Sequence, residues 1–172
     1  MGGAQEYFGV TPDLSTFGKA MANGYAIAAL VGKREPMMVL ADKVFLSSTF
    51  FPNSDSIVAA LKTIEILERD KVLDVVKQKG EKFAIDVQKV IDESGMPVEF
   101  SGAPWMPFIT FNKDENGLYK KLRTEFYTQL IRRKVFLQPY HHGYICFRHS
   151  DADLAYTVGA IKESLAELKK LM

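Results

Sequence analysis

The hydrophobic pattern divides the chain into an irregular opening and four stretches with helical period. Over residues 1–24 no apolar period persists. Gly2, Gly3, Gly9, Pro12, Gly18 and Gly24 punctuate the segment, which reads as loop and turn. Residues 25–32 (YAIAALVG) are an unbroken apolar run and predict a strand buried on both faces. A polar and aromatic loop over 45–53 leads to Ser54 or Asp55 as the cap of a helix carrying Ile57, Leu61, Ile64 and Leu67 on one face. A second helix is predicted from about residue 71 to 91, with Val72, Val76, Phe83, Val87 and Val90 in phase. The turn Ser94, Gly95, Met96 and Pro97 stops it.

Beyond that turn the period shortens. Residues 97–100 and 107–111 read as short strands and 112–117 as a turn. Leu118, Leu122, Phe126 and Leu130 define a third helix, and residues 135–137 and 144–147 are strand-like. Ser150 through Asp153 resembles a capping box opening a last helix, with Leu154, Val158, Ile161, Leu165 and Leu168 on one stripe. The fold class expected is α/β passing to α+β. Residues 1–70 are the trailing edge of something larger, and 71–172 are a linker helix with a small α+β domain, a short antiparallel sheet under helices.

Composition narrows the function classes. Of 172 residues, 47% are hydrophobic and 25% charged, which excludes a disordered tail. Twenty-two basic against 21 acidic residues leave a formal charge of +1, so no nucleic-acid partner is expected. The apolar runs are too short to cross a bilayer, so no membrane partner is expected. One cysteine, Cys146, forms no internal disulfide, and the first residues lack a basic and apolar leader pattern; a cytoplasmic location is the expectation.

Lys19 stands out among 16 lysines because it lies between Gly18 and Gly24, ahead of the apolar run. Partial desolvation there would favour the neutral amine that forms a Schiff base. By local pattern alone an ordinary loop lysine is the favoured reading. Other residues allow two readings each. Thr49 is an anion contact or an ST-turn hydroxyl; His142 lines a substrate entrance or is solvated; Arg148 binds a carboxylate or points outward from a strand, the latter favoured. No metal site is expected, because His141, His142 and His149 have no carboxylate or cysteine at a metal-binding spacing. Cys146 reads as a small core residue, and Phe50, Phe51 and Trp105 as interface or core aromatics. Lys120, Lys121, Arg123, Arg132, Arg133 and Lys134 read as a solvated basic face.

The run Pro12, Asp13, Leu14, Ser15, Thr16, Phe17, Gly18, Lys19, with Gly24 and Val31-Gly32 after it, resembles the cofactor-lysine region of class III aminotransferases. These are fold-type I enzymes dependent on pyridoxal 5′-phosphate (PLP). The glutamate-1-semialdehyde aminomutase-like subgroup is the most similar. Thr49-Phe50 with Asn53, residues 135–144 (VFLQPYHHGY) and His149 through Leu154 follow in the family's order, so the resemblance runs from about Gly3 to Leu168. It implies that Lys19 holds PLP as a Schiff base and moves the substrate proton. It also implies that Thr49 contacts the PLP phosphate of a neighbouring subunit in a homodimer, and that residues 1–70 belong to the PLP-binding large domain.

Departures from the family pattern refine that expectation. Ala26 stands where proline is usual, and Phe51 and Pro52 where the phosphate turn carries a small residue and glycine. Tyr140, His141, His142, Gly143 and Tyr144 replace an acidic, glycine-containing stretch, which favours a transaminase with another substrate over the isomerase reaction. The family's phosphate loop, ring-stacking aromatic and ring-nitrogen aspartate all precede the lysine. The chain thus reads as the C-terminal part of an aminotransferase acting on a small-molecule amino donor and a carbonyl acceptor, as a homodimer or with a partner chain. The competing expectation is a catalytically incompetent half that serves as a binding or assembly module.

Overall fold

The computed structural model describes residues 2–47, 49, 51 and 53–172. The chain forms two compact units, Met1–Val72 and Leu73–Met172. Phe50 and Pro52, both singled out in the sequence, lie outside the described residues.

In the first unit the opening is more ordered than its glycines predict. Helix α1 (Gly3–Phe8) ends at Gly9, which takes a left-handed φ of 66° and lets the Gly9 and Val10 amides return to the carbonyls of Glu6 and Gln5. Strand β1 (Leu14–Phe17) pairs antiparallel with β2 (Ala29–Gly32), in a register that sets Leu14 against Gly32 and Phe17 against Ala29. The expected strand over 25–32 is thus halved, and its burial on both faces is not found. Leu30 and Val31 are 45% and 46% exposed, because a two-stranded ribbon offers them nothing to pack under. Helix α2 (Arg34–Met38) follows.

Helix α3 (Ser54–Arg69) is capped one residue earlier than expected. The Asn53 side-chain oxygen accepts from the amides of Asp55 (3.0 Å) and Ser56 (3.4 Å), leaving Ser54 and Asp55 inside the first turn. The buried stripe also differs. Ser56 and Ala60 are buried, whereas Ile57 and Leu61 of the predicted face are exposed, Leu61 at 64%. Periodicity identified the helix correctly, but small residues at i, i+4 allow the closer approach.

The second unit follows its pattern closely. Helix α4 (Val72–Ser94) buries Phe83, Val87, Val90 and Ile91, and Ser94 Oγ donates to the Ile91 carbonyl as the chain turns through Gly95 (φ 63°). Strands β3 (Val98–Ser101) and β4 (Phe108–Phe111) form an antiparallel hairpin with Val98 opposite Phe111. Helix α5 (Leu118–Arg132) presents Leu122, Phe126 and Leu130 inward. Helix α6 (Asp151–Leu168) adds Ile161, Leu165 and Leu168 to the same core. Phe126 sits at its centre, edge-on to Phe111 (5.6 Å) and Tyr127 (5.2 Å). The capping box is present: Asp153 N donates to Ser150 Oγ at 3.1 Å, and Ser150 N donates to Asp153 Oδ2 at 2.8 Å.

The strand-like stretches 135–137 and 144–147 are not strands. Val135 closes the end of α5 through its amide on the Leu130 carbonyl. Gly143 and Ile145 donate to the carbonyls of Pro107 (2.7 Å) and Trp105 (2.9 Å). Two bonds to a loop hold this stretch without extending into a ladder.

Candidate functional site

Lys19 opens a 3-10 turn (Lys19–Met21) at the end of β1. Gly18 is extended, Lys19 has φ 49°, and Asn23 has φ 47°. Two non-glycine residues within five positions therefore hold left-handed backbone, each at a cost of roughly 1 kcal/mol or more. The amides of Met21, Ala22 and Asn23 bond back to the carbonyls of Gly18, Lys19 and Ala20, at 3.1, 3.4 and 3.3 Å. The turn packs on α3, and Ala22 is 1% exposed. The backbone of Lys19 is thus held in an uncommon conformation while its side chain is exposed, with no carboxylate paired to it among the described residues. The burial expected at Lys19 is not found, because its side chain is exposed in this structure. Backbone strain confined to a loop between packed elements is a feature of functional positions.

Thr49 lies in an exposed turn before α3. The amides of Asp55 and Ser56 are taken by the Asn53 side chain, so those two amides are not open to an anion. Lys19 and Thr49 both belong to the first unit, and His142 belongs to the second.

His142 lines a cavity of about 630 Å³ in the second unit. Its Nε2 is 2.8 Å from the Tyr144 hydroxyl, and its ring stacks on His141 at 4.3 Å. The segment is braced from α5. The Arg123 guanidinium lies 4.2 Å over the Tyr140 ring, its Nη2 donates to the Tyr140 hydroxyl at 2.8 Å, and its buried Nε has no hydrogen-bond partner among the described residues. Arg123 is therefore not part of a solvated face. Neither is Arg133, whose guanidinium meets Glu163 Oε2 at 2.9 Å and Gln129 Oε1 at 2.6 Å. The Arg123–Tyr140 pairing spans 17 positions, and no local signal marks it.

Three further expectations change. Cys146 is exposed, not a core residue, because Ile145 is the inward position of that stretch. Arg148 is exposed on a turn rather than on a strand. Phe51 is 63% exposed, while Trp105 packs against the core of its unit. His149 is half-buried; its Nδ1 accepts the Cys146 amide at 3.2 Å, which places the proton of the neutral ring on Nε2. Lys134, expected in the basic cluster, instead lines the cavity wall from the second residue past α5, with φ 59° where helix ends favour glycine. The sequence sign of this position is the lack of glycine after the helix, in Arg132-Arg133-Lys134-Val135.

Comparison with known proteins gives a consistent picture. The family model "Aminotransferase class-III" matches residues 2–149. The chain is 78% identical, over its whole length, to a 3-aminobutyryl-CoA aminotransferase of Cloacimonas acidaminovorans (strain Evry), of which it spans 42%. It is 33% identical, over 98% of its length, to a glutamate-1-semialdehyde 2,1-aminomutase of Methanosphaera stadtmanae, again spanning 42% of that protein. Among solved structures, the PLP-containing FumI protein of Sphingopyxis sp. MTA144 superposes with a TM-score of 0.88 at 23% identity, over 98% of this chain and 40% of that one. An omega-transaminase from Sphaerobacter thermophilus gives 0.88 at 23%, over 98% and 41%. The two structural likenesses establish the fold.

Proposed function

The chain belongs to the class-III aminotransferase family, and from that premise we propose that it carries the cofactor lysine, Lys19, of a PLP-dependent aminotransferase. The enzyme moves an amino group between an amine or amino acid donor and a carbonyl acceptor. The observation that carries this reading is the strained turn that presents the Lys19 amine, exposed and free of a paired carboxylate among the described residues. An aldehyde reaches a primary amine under those conditions, so the residue fits the cofactor.

When bound, PLP supplies an electron-withdrawing ring that stabilises negative charge on the carbon bearing the amino group. Lys19 has two tasks at one atom, Nζ. It anchors the cofactor, and it moves a proton on and off that carbon. Thr49 offers its hydroxyl to the cofactor phosphate across a homodimer interface. The first unit is the trailing part of the large, cofactor-binding domain and the second is the small domain. His142, hydrogen-bonded to Tyr144, is the residue assigned to the substrate entrance, and the enzyme works in the cytoplasm.

For substrate we favour a 3-amino acyl-CoA thioester and its keto counterpart, on the identity of 78% over the whole chain to an aminotransferase of that kind. The sequence Tyr140, His141, His142, Gly143, Tyr144 supports amino transfer over isomerisation. A second reading, an assembly module without catalysis, draws on the apolar side chains left in water, Phe45 at 92% exposure foremost. The test is Lys19→Ala in the holoenzyme, with circular dichroism as the control for folding. The reading requires loss of the visible absorbance of covalently held PLP and of amino transfer. A folded variant that keeps that band would sink the assignment, and full activity would do the same.

A further inference from the structure

Resting on the reading of a CoA thioester substrate, we propose that the cavity of the second unit takes the adenine nucleotide end of that thioester, with the Lys134 ammonium on a phosphate. The volume, about 630 Å³, lies within the roughly 300–1,000 Å³ of small-ligand sites. The wall includes the aromatic residues Phe136, His141, His142, Tyr144 and Tyr156. Three of these are fixed relative to one another: His142 stacks on His141 at 4.3 Å, meets Tyr144 edge-on at 4.9 Å, and is tied to its hydroxyl. Phe136 and Tyr156 remain 73% and 58% exposed, although Tyr156 is anchored by its hydroxyl on the Arg133 carbonyl at 2.9 Å. Preset rings with open faces suit a heteroaromatic base, which stacks on them without needing a matched set of hydrogen bonds.

The charge on the wall matches the other half of a nucleotide. Lys134 lines the cavity and has no carboxylate paired to it among the described residues. It occupies a left-handed position at the end of α5, where glycine would be unstrained, and strain retained at a cavity mouth points to a task for the side chain. Asp153, a carboxylate on the same wall, has its Oδ2 engaged by the amide (2.8 Å) and hydroxyl (2.7 Å) of Ser150. A terminal phosphate meeting Lys134 would form a charge-assisted contact, with the base on the rings beside it.

The test uses the holoenzyme with two substrates, 3-aminobutyryl-CoA and the same acyl group on pantetheine, which lacks the nucleotide. Lys134→Gly removes the cation and relaxes the backbone, so folding is not at risk. We expect KM for the CoA thioester to rise about tenfold or more with kcat little changed, as for loss of one charge-assisted contact, and the effect to vanish for the pantetheine thioester. Lys134→Arg should restore most of the loss. An equal effect on both thioesters, or none on either, overturns the nucleotide site while leaving the substrate class standing. If neither thioester is turned over, the substrate reading fails. Titration with adenosine 3′,5′-bisphosphate then decides the cavity: binding weakened about tenfold in Lys134→Gly supports the site, and equal or absent binding overturns it.

Discussion

Two helical glycines should respond to the same substitution with opposite signs. In an isolated helix, glycine to alanine is worth about 1 kcal/mol in favour of alanine. Gly159, in α6, has nothing within 4 Å of where a Cβ would stand, so Gly159→Ala should realise that gain. Gly80, in α4, is buried against the loop before β4. A Cβ there would lie 2.7 Å from both N and Cα of Trp105 and 2.9 Å from the carbonyl carbon of Pro104. Ordinary contact begins near 3.4 Å, so helix and loop would have to part by about 0.7 Å. Backbone atoms cannot rotate away as a side-chain tip would, so the cost falls in the upper part of the range for overpacking, about 2–3 kcal/mol. After the propensity gain is subtracted, Gly80→Ala should destabilise by about 1–2 kcal/mol. The two variants should then differ by about 2–3 kcal/mol, with melting temperatures moving in opposite directions by a few degrees each. Denaturant unfolding monitored at Trp105 is a suitable assay. Gly80→Ala at or above wild-type stability would refute the close approach of α4 to this loop. The consequence reaches the candidate site, because the carbonyls of Trp105 and Pro107 hold Ile145 and Gly143, the flank of His142.

Two smaller perturbations probe other joints. Asn53→Ala strips the cap from α3 and should cost about 1 kcal/mol, read as a lower denaturant midpoint at unchanged slope; no change would mean that the cap is redundant. The Tyr127 hydroxyl donates to the Ile109 carbonyl at 2.6 Å, and burial pushes its pKa up from 10.0 to about 12. A raised folded value means that the stabilisation is complete below pH 10 and is lost as pH climbs toward 12. Tyr127→Phe should flatten that alkaline decline and cost about 1–3 kcal/mol at neutral pH, because the carbonyl loses its partner. An unchanged alkaline slope would contradict the burial of the hydroxyl.

Legibility in the sequence follows where partners lie. The stripes Phe83–Val87–Val90, Leu122–Phe126–Leu130 and Ile161–Leu165–Leu168 meet one another within a single unit, so an apolar period translated directly into burial. The Ser150–Asp153 cap is local and was equally plain. In the first unit, Leu30, Val31, Ile57 and Leu61 carry the same pattern without a covering surface among the described residues, and the predicted burial does not appear. At the candidate site, Lys19 was marked by its glycine neighbours, although its strained φ was not. The Arg123–Tyr140 brace and the place of Lys134 on a cavity wall depend on tertiary contact, which no local spacing encodes.

The most direct test of the central claim is chemical. The holoenzyme is reduced with borohydride in the presence of stoichiometric PLP, digested, and mapped for the lysine that carries the pyridoxyl group. The account predicts a single modified position among the 16 lysines of this chain, Lys19. Label spread over several surface lysines, or concentrated on any lysine other than Lys19, would contradict it.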